Sequence, residues 1–396
     1  MKYVYVSPAL PENVFGELLG YGKGSPGQQA QKYNKLLAKG ISLNGRDVLM
    51  LSAPPVPPGS RPFKMTKLKP AESGGLSYRF LNVLDIPVIK NIYTLTQAKK
   101  EIKRIAKASP SPEDVCVVCD LLTLSASLGA LKAAKSLGVR SCGIVTDLPE
   151  FLSGKPSGKR YAKLYRKAVS LCGSFVLLTE KMAEALPIGG RPYTVIEGIS
   201  TPFAKPSAEP SSGSKKRILY AGGIEKAYGV EKLVKAFLKA GVKDSELLLC
   251  GDGSYAEELS EIASKNDSVK YIGVIPNENV MALEAESSLL VNPRTSEGAF
   301  TAYSFPSKNI EYLSTGTPVL AYMLPGIPEE YREYFITPED ESEDALAAKI
   351  NETLAMSGDS LKAFGKRAAE FAAEKKAPPA QAARLLTMVE SEGEKD

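Results

Sequence analysis

Two doubly wound, Rossmann-like α/β domains are the fold class this chain predicts, on three observations. Its 396 residues, 43% apolar and 24% charged, have a globular composition and are too many for one ordinary core. Short apolar runs bounded by Gly and Pro alternate with amphipathic helical stretches, the pattern of parallel sheets covered by helices. The alternation breaks once, at the Pro/Ser-rich stretch from Pro202 to Ser214, and a clean strand, Arg217-Ile218-Leu219-Tyr220-Ala221, follows. Charge divides at the same place. Residues 1–200 hold 28 Lys+Arg against 14 Asp+Glu, a net +14, and residues 201–396 hold 22 against 31, a net −9. The expected domains are therefore 1–200 and 201–377. A last helix after Ala377-Pro378-Pro379 crosses back, so that 378–396 completes the first.

The elements follow in order. Met1-Lys2-Tyr3-Val4-Tyr5-Val6-Ser7 reads as a first strand and not as a signal peptide. No apolar run approaches the roughly 20 residues that span a bilayer, so a cytoplasmic location is expected. Further strands in the first half fall near 47–52, 115–119, 141–146, 174–178 and 193–197. Its helices fall near 27–39, 96–107, 125–137, 158–170 and 180–186. The second half alternates more clearly. Strands are expected near 217–221, 246–250, 269–272, 288–292 and 318–322, and helices near 229–240, 254–264, 277–286, 305–314, 343–355 and 359–374.

Several function classes are excluded early. The chain has no histidine, which removes Ser-His-Asp and Cys-His hydrolysis, imidazole bases and His-ligated metals. Cys116 and Cys119 have metal or redox spacing, but they lie in an apolar strand, and no second such pair exists. All five cysteines read as structural, and no metal site is expected. The basic surplus of the first half suits anionic lipid or a phosphorylated substrate. Nucleic acid is not expected, because the surplus is spread over a folded domain without a recognised module.

The chemistry concentrates in the second half. From Phe305-Pro306-Ser307-Lys308 to Glu311, and on to Gly316-Thr317-Pro318, the chain reads as a helix entered through Pro and Ser, ended by Gly, and followed by a buried strand. A helix start at such a crossover offers unpaired N–H groups and a partial positive charge to a phosphate. Ser307, Lys308 and Glu311 share one face, and the rise from Ser307 to Glu311 is about 6 Å. Lys308 is thus placed for a phosphate and Glu311 for a ribose diol, although an ordinary crossover helix with a solvated Lys–Glu pair fits the same letters. Other strand ends carry Gly222-Gly223, Gly251-Asp252-Gly253, Gly273-Val274-Ile275 and Arg294. Val274 and Ile275 are placed to read a base through their backbone.

Taken together, Tyr220-Ala221-Gly222-Gly223, Cys250-Gly251-Asp252-Gly253, Asn292-Pro293-Arg294 and Glu311-Tyr312-Leu313-Ser314-Thr315-Gly316-Thr317-Pro318 resemble the donor domain of retaining GT-B glycosyltransferases of family 4. The Phe305-Pro306-Ser307-Lys308 variant is similar to polysaccharide-assembly members. The resemblance implies two Rossmann-like domains facing a central cleft and a nucleotide-sugar donor, which is a substrate and not a cofactor. It implies a saccharide or lipid-linked acceptor and a metal-independent reaction. Glu311 matches the family's ribose-binding glutamate. The family's first glutamate position is Tyr303 here, and Glu297 resembles a displaced version. The family's diphosphate-binding Arg and Lys positions read Gly223 and Tyr228, so Lys226, Arg294 and Lys308 are the candidate replacements. In the first half the loop holding Gly24 and Gly27 matches a glycine-rich acceptor loop, and Thr146-Asp147 stands where many members have His-Asp. The catalytic candidates are Asp147, Glu297 and Lys308. The run 151–167, with six cations among apolar residues, is readable as a contact for an anionic membrane or as a solvated helix. The expected function is sugar transfer in surface polysaccharide or glycolipid synthesis, at the inner face of the plasma membrane. A non-catalytic relative acting as a binding or scaffold protein, or a phosphorylase or epimerase of similar architecture, are the alternatives.

Overall fold

The structure is a computed structural model that describes residues 1–19, 28–56, 65–86, 89–151, 158–201 and 215–391. The chain divides into two compact units, Met1–Ile199 with Pro378–Asp396, and Ser200–Ala377.

Unit 1 runs β1 (Lys2–Ser7), α1 (Glu12–Leu19), α2 (Gln28–Leu43), β2 (Asp47–Ser52), β3 (Met65–Thr66), β4 (Ala71–Ser73), β5 (Leu76–Phe80), β6 (Val83–Leu84), α3 (Ile89–Ala108), β7 (Val115–Asp120), α4 (Leu124–Leu137), β8 (Arg140–Val145), α5 (Lys159–Val169), β9 (Ser174–Leu177), α6 (Lys181–Ala185) and β10 (Tyr193–Val195). Eight strands form one sheet in the order β10-β9-β8-β7-β1-β2-β5-β4. Every pairing in it is parallel except β4 with β5. β1 and β7 are almost wholly buried because helices cover both faces, which is why they read as continuous apolar runs. Cys116 and Cys119 lie in β7, where residues three apart point to opposite faces.

Unit 2 runs β11 (Lys216–Ala221), α7 (Val230–Ala240), β12 (Ser245–Cys250), α8 (Ala256–Lys265), β13 (Val269–Tyr271), α9 (Asn277–Glu286), β14 (Leu289–Asn292), α10 (Ser307–Thr315), β15 (Val319–Ala321), α11 (Glu343–Ala355) and α12 (Gly358–Lys375). Its sheet is wholly parallel, in the order β13-β12-β11-β14-β15. Ile218, Leu247, Leu249, Leu289 and Leu320 build the core with Leu233 and Phe237 of α7 and Leu346 and Ile350 of α11.

α13 (Pro378–Ser391) belongs to unit 1. It packs on α2 so closely that a side chain at Gly40 would collide with the Pro378 carbonyl. Leu385 and Val389 enter the unit 1 core. Arg46 clamps Glu390 with two hydrogen bonds, 2.8 and 2.7 Å, and Tyr3 donates a third at 2.8 Å. The doubly wound α/β class is borne out in both units. The helix expected from residue 96 starts about two turns earlier, at Ile89, and α1 and β3 to β6 lie in two stretches where no elements were expected.

Candidate functional site

In a doubly wound sheet, ligands bind at the carboxyl ends of the strands where the winding reverses. In unit 2 that point lies between β11 and β14. Ile218 pairs with Leu289 and Leu219 with Leu290, and continuing that register sets Ala221 beside Asn292. Gly222-Gly223 and Pro293-Arg294 therefore leave the sheet side by side.

α10 is anchored to both strands through its first two turns. Asn292 Nδ2 donates to Oδ1 of buried Asn309 at 2.6 Å. The Tyr312 hydroxyl accepts from the Ala221 N–H at 2.8 Å and donates to the Ala221 carbonyl at 3.2 Å. Pro306 is the N-cap, and no side chain caps this end. Ser307, the first helical residue, is exposed.

Arg294 is the cation this geometry brings forward. Its guanidinium lies over the rings of Phe300 and Tyr228, at 4.8 and 5.4 Å from the centroids. Nη2 makes one long hydrogen bond, 3.4 Å, to Ser304 Oγ, and the buried Nε has no partner. Among the described residues no carboxylate pairs with it. Burial lowers its pKa from the usual arginine value, and the residue stays a cation. Tyr228 stands at one of the positions where the resemblance led to an expected basic residue, and it holds Arg294 by its ring face. Gly223 leaves room for that ring, since a Cβ there would come within 2.9 Å of it.

Lys308 lies in the first turn of α10, as expected. Its ammonium turns along the helix to Glu311 Oε1 at 2.5 Å and reaches Glu284 Oε1 on α9 at 3.3 Å. Glu284 is fully buried. Burial acts to lower the Lys308 pKa, but the charges and hydrogen bonds of Glu311 and Glu284 outweigh it and leave it raised. The Glu311 side chain is 12% exposed and is oriented by this pair. Lys226 lies in the loop after β11. It pairs with Glu258 at 2.7 Å and lies over the Tyr255 ring at 5.0 Å. Val274 is 60% exposed on the loop after β13, with Ile275 partly buried beside it, and Glu297 is exposed on the loop after Arg294.

In unit 1, Thr146 and Asp147 follow β8 and are partly buried, and burial raises the Asp147 pKa. Gly24 and Gly27 lie outside the described residues. So do 152–157 of the basic run. The rest of that run forms α5, where Lys159, Arg160, Lys163, Arg166 and Lys167 are exposed around Leu164, itself 41% exposed. None of the five pairs with a carboxylate among the described residues. Sequence reasoning missed Asp120. It ends β7 at the point where the unit 1 sheet reverses, is buried, and has a pKa pushed up to about 6, chiefly by burial. The available signal was an acidic residue closing an otherwise apolar central strand.

Residues 204–371 match the family model described as Glycosyl transferases group 1. That match falls within unit 2. The whole chain aligns with solved glycosyltransferase structures. A sucrose-phosphate synthase from Thermosynechococcus elongatus matches with a TM-score of 0.66 and 16% identity, over 100% of both chains. A glycosyltransferase from Rickettsia africae matches at 0.64 and 14%, over 100% of this chain and 99% of that one. The HepE protein of Anabaena, solved in complex with UDP, matches at 0.63 and 12%, over 99% and 100%. These likenesses establish the GT-B fold. No curated protein matches the chain in sequence.

Proposed function

We propose that the chain is a retaining glycosyltransferase that moves a sugar from a nucleoside-diphosphate donor to a saccharide or lipid-linked acceptor, in surface polysaccharide or glycolipid synthesis. One observation carries this reading: Arg294, a half-buried guanidinium with no carboxylate partner among the described residues, stands at the switch point beside the uncapped start of α10. Two structural neighbours were solved with donor-related ligands, UDP on HepE and UDP-2-fluoro glucose on the E. coli trehalose-6-phosphate protein.

Arg294, the Ser307 end of α10 and the backbone at Gly222-Gly223 bind the diphosphate. Glu311, aimed by Lys308, takes the ribose diol. Lys308 thus acts through Glu311, and Arg294 replaces it and Lys226 as the diphosphate cation. The backbone at Val274 and Ile275 meets the base, and Glu297 is the carboxylate for the donor sugar. In the reaction the bond from the anomeric carbon to the diphosphate oxygen breaks, and the acceptor oxygen bonds to that carbon on the same face. The acceptor proton passes to the leaving diphosphate, so no imidazole is needed. Charge growing on the diphosphate is stabilised by Arg294 and the α10 dipole. Thr146 and Asp147 orient the acceptor. No cofactor takes part, since the nucleotide-sugar is itself consumed. The exposed cations of α5, with Leu164 among them, dock the protein on an anionic membrane surface at the cytoplasmic face.

The resemblance's basic positions at Gly223 and Tyr228 are lost, which favours a second reading, a binding protein that kept the fold. Incubation with labelled UDP-, GDP- and ADP-sugars separates the two. Slow release of nucleoside diphosphate from one donor without acceptor supports the enzyme, and binding without any release supports the binding protein.

A further inference from the structure

The loop between β14 and α10 carries both Arg294 and Glu297, and it is closed on itself by a residue to which the donor reading gives no part. Gly298 takes a φ of +94°, and a 3₁₀ turn over Ala299–Tyr303 follows it. A β carbon at Gly298 would come within 2.6 Å of the Phe300 ring. Glycine therefore permits both the left-handed backbone and the position of that ring. The Arg294 guanidinium lies 4.8 Å from the centroid of the same ring. It has no carboxylate partner among the described residues, so the ring faces of Phe300 and Tyr228 and one long bond to Ser304 give it its direction. What fixes Phe300 thus helps to aim the cation.

Thr301 closes the turn. It is 2% exposed. Its N–H donates to the Gly298 carbonyl at 3.1 Å. Its hydroxyl donates to the same carbonyl at 2.8 Å and lies 3.0 Å from the Ser296 carbonyl oxygen, so one proton serves two acceptors. On the other side, the Ser296 N–H donates to Glu341 Oε1 at 2.7 Å. The Glu341 carbonyl accepts from Lys232 Nζ of α7 at 2.6 Å, which ties the loop to that helix. Backbone bonds therefore stand on both sides of Glu297, while Glu297 itself is exposed.

We infer that Thr301 is a positioning residue for the donor site. Its hydroxyl locks the turn at Gly298 and so fixes the Phe300 ring against Arg294 and the backbone that carries Glu297. The hydroxyl is used up inside the loop and is given no contact with substrate. The inference deepens the donor reading and rests on it for the role of Arg294, whereas the lock itself belongs to the ligand-free chain.

The first arm of the test needs no ligand. In the full chain grown with isotope-labelled arginine, the Arg294 Nε–H resonance is assigned by its loss in Arg294→Met, and the currents of the two rings displace it. Thr301→Val keeps the shape of the side chain and removes the hydroxyl. It is expected to move or broaden that resonance, and Thr301→Ser to leave it in place. An unmoved resonance in a Thr301→Val chain that melts with the wild type overturns the inference, as does an equal shift in Thr301→Ser. Thr301→Ala, which sets no methyl against the two carbonyls, takes the place of the valine variant if that chain does not fold, with the same two outcomes. The second arm is a double-mutant cycle read by binding of UDP, GDP and ADP. Thr301→Val should weaken whichever of them binds by about tenfold, the worth of a buried hydrogen bond. In the Arg294→Met background the loss should shrink to less than about twofold, because the two residues act as one unit. Equal losses in the two backgrounds overturn the inference. If Arg294→Met alone leaves nucleoside-diphosphate binding intact, the donor reading fails, and the resonance arm still decides the lock.

Discussion

The two units reach nearly the same backbone geometry at their switch points, yet one presents a naked cation and the other a buried carboxyl. In unit 2, Arg294 rests on two aromatic rings without a counter-ion among the described residues, next to a helix start that no side chain caps. In unit 1, Asp120 accepts from Leu122, Thr123 and Asn34 just before α4, whose start has no side-chain cap either. Parallel winding dictates where a crevice forms. Which charge stands there depends on one or two residues at the strand ends.

The sharpest way to break this comparison is to remove the cation. Arg294→Met should slow sugar transfer by about 10²- to 10³-fold, the usual loss for a donor aimed at developing charge, while the melting temperature holds. A fall in melting temperature with an unchanged rate would make Arg294 structural.

Removing the opposing charge tests the other side. The folded pKa of Asp120, about 6, lies above its ordinary value of 3.8. Proton binding therefore favours the folded state. That contribution is fully present below about pH 4 and is lost as pH rises through 6. The ionised carboxylate then costs up to about 3 kcal/mol at neutral pH. Asp120→Asn should raise stability to urea at pH 7.5 and make no difference below pH 4. A loss of stability at pH 7.5 would mean that its hydrogen bonds outweigh its burial.

A smaller effect is expected at Glu311→Gln, which should raise the donor KM by about 10- to 100-fold, the worth of a hydrogen bond to a charged group, with kcat changed less. Lys308→Met should do the same more weakly if it acts through Glu311. If Lys308→Met instead lowers kcat at an unchanged KM, Lys308 contacts the diphosphate itself. The smallest effect belongs to the outer surface of unit 1. Lys163→Ala should weaken binding to vesicles rich in phosphatidylserine by about 1 kcal/mol, with loss of the effect at high salt. Equal binding of wild type to neutral vesicles would remove the membrane reading.

Most of the sheet architecture was legible because buried parallel strands are apolar runs with clear punctuation, as Val115 to Asp120 and Arg217 to Ala221 show. The stretch between β2 and α3 was not read, although Gly74-Gly75, both at positive φ, marks the β4–β5 hairpin and Leu76, Tyr78 and Phe80 alternate inward. Short, half-exposed strands at a sheet edge leave little periodicity to detect. At the candidate site, α10 and Arg294 were visible as letters at strand ends. That Lys308 would turn to Glu284, 24 residues back, was not, because the pairing depends on how α9 packs against α10. Asp120 was missed for a related reason. A lone aspartate after a strand looks like turn punctuation until the strand order puts it at the centre of the sheet.

The most direct test of the whole account is a titration of wild type and Arg294→Met with UDP, GDP and ADP by calorimetry at pH 7.5. One of the three should bind the wild type with 1:1 stoichiometry and bind Arg294→Met at least about tenfold more weakly, with both chains melting at the same temperature. Undiminished affinity in the variant would show that the guanidinium at the end of β14 does not hold the diphosphate.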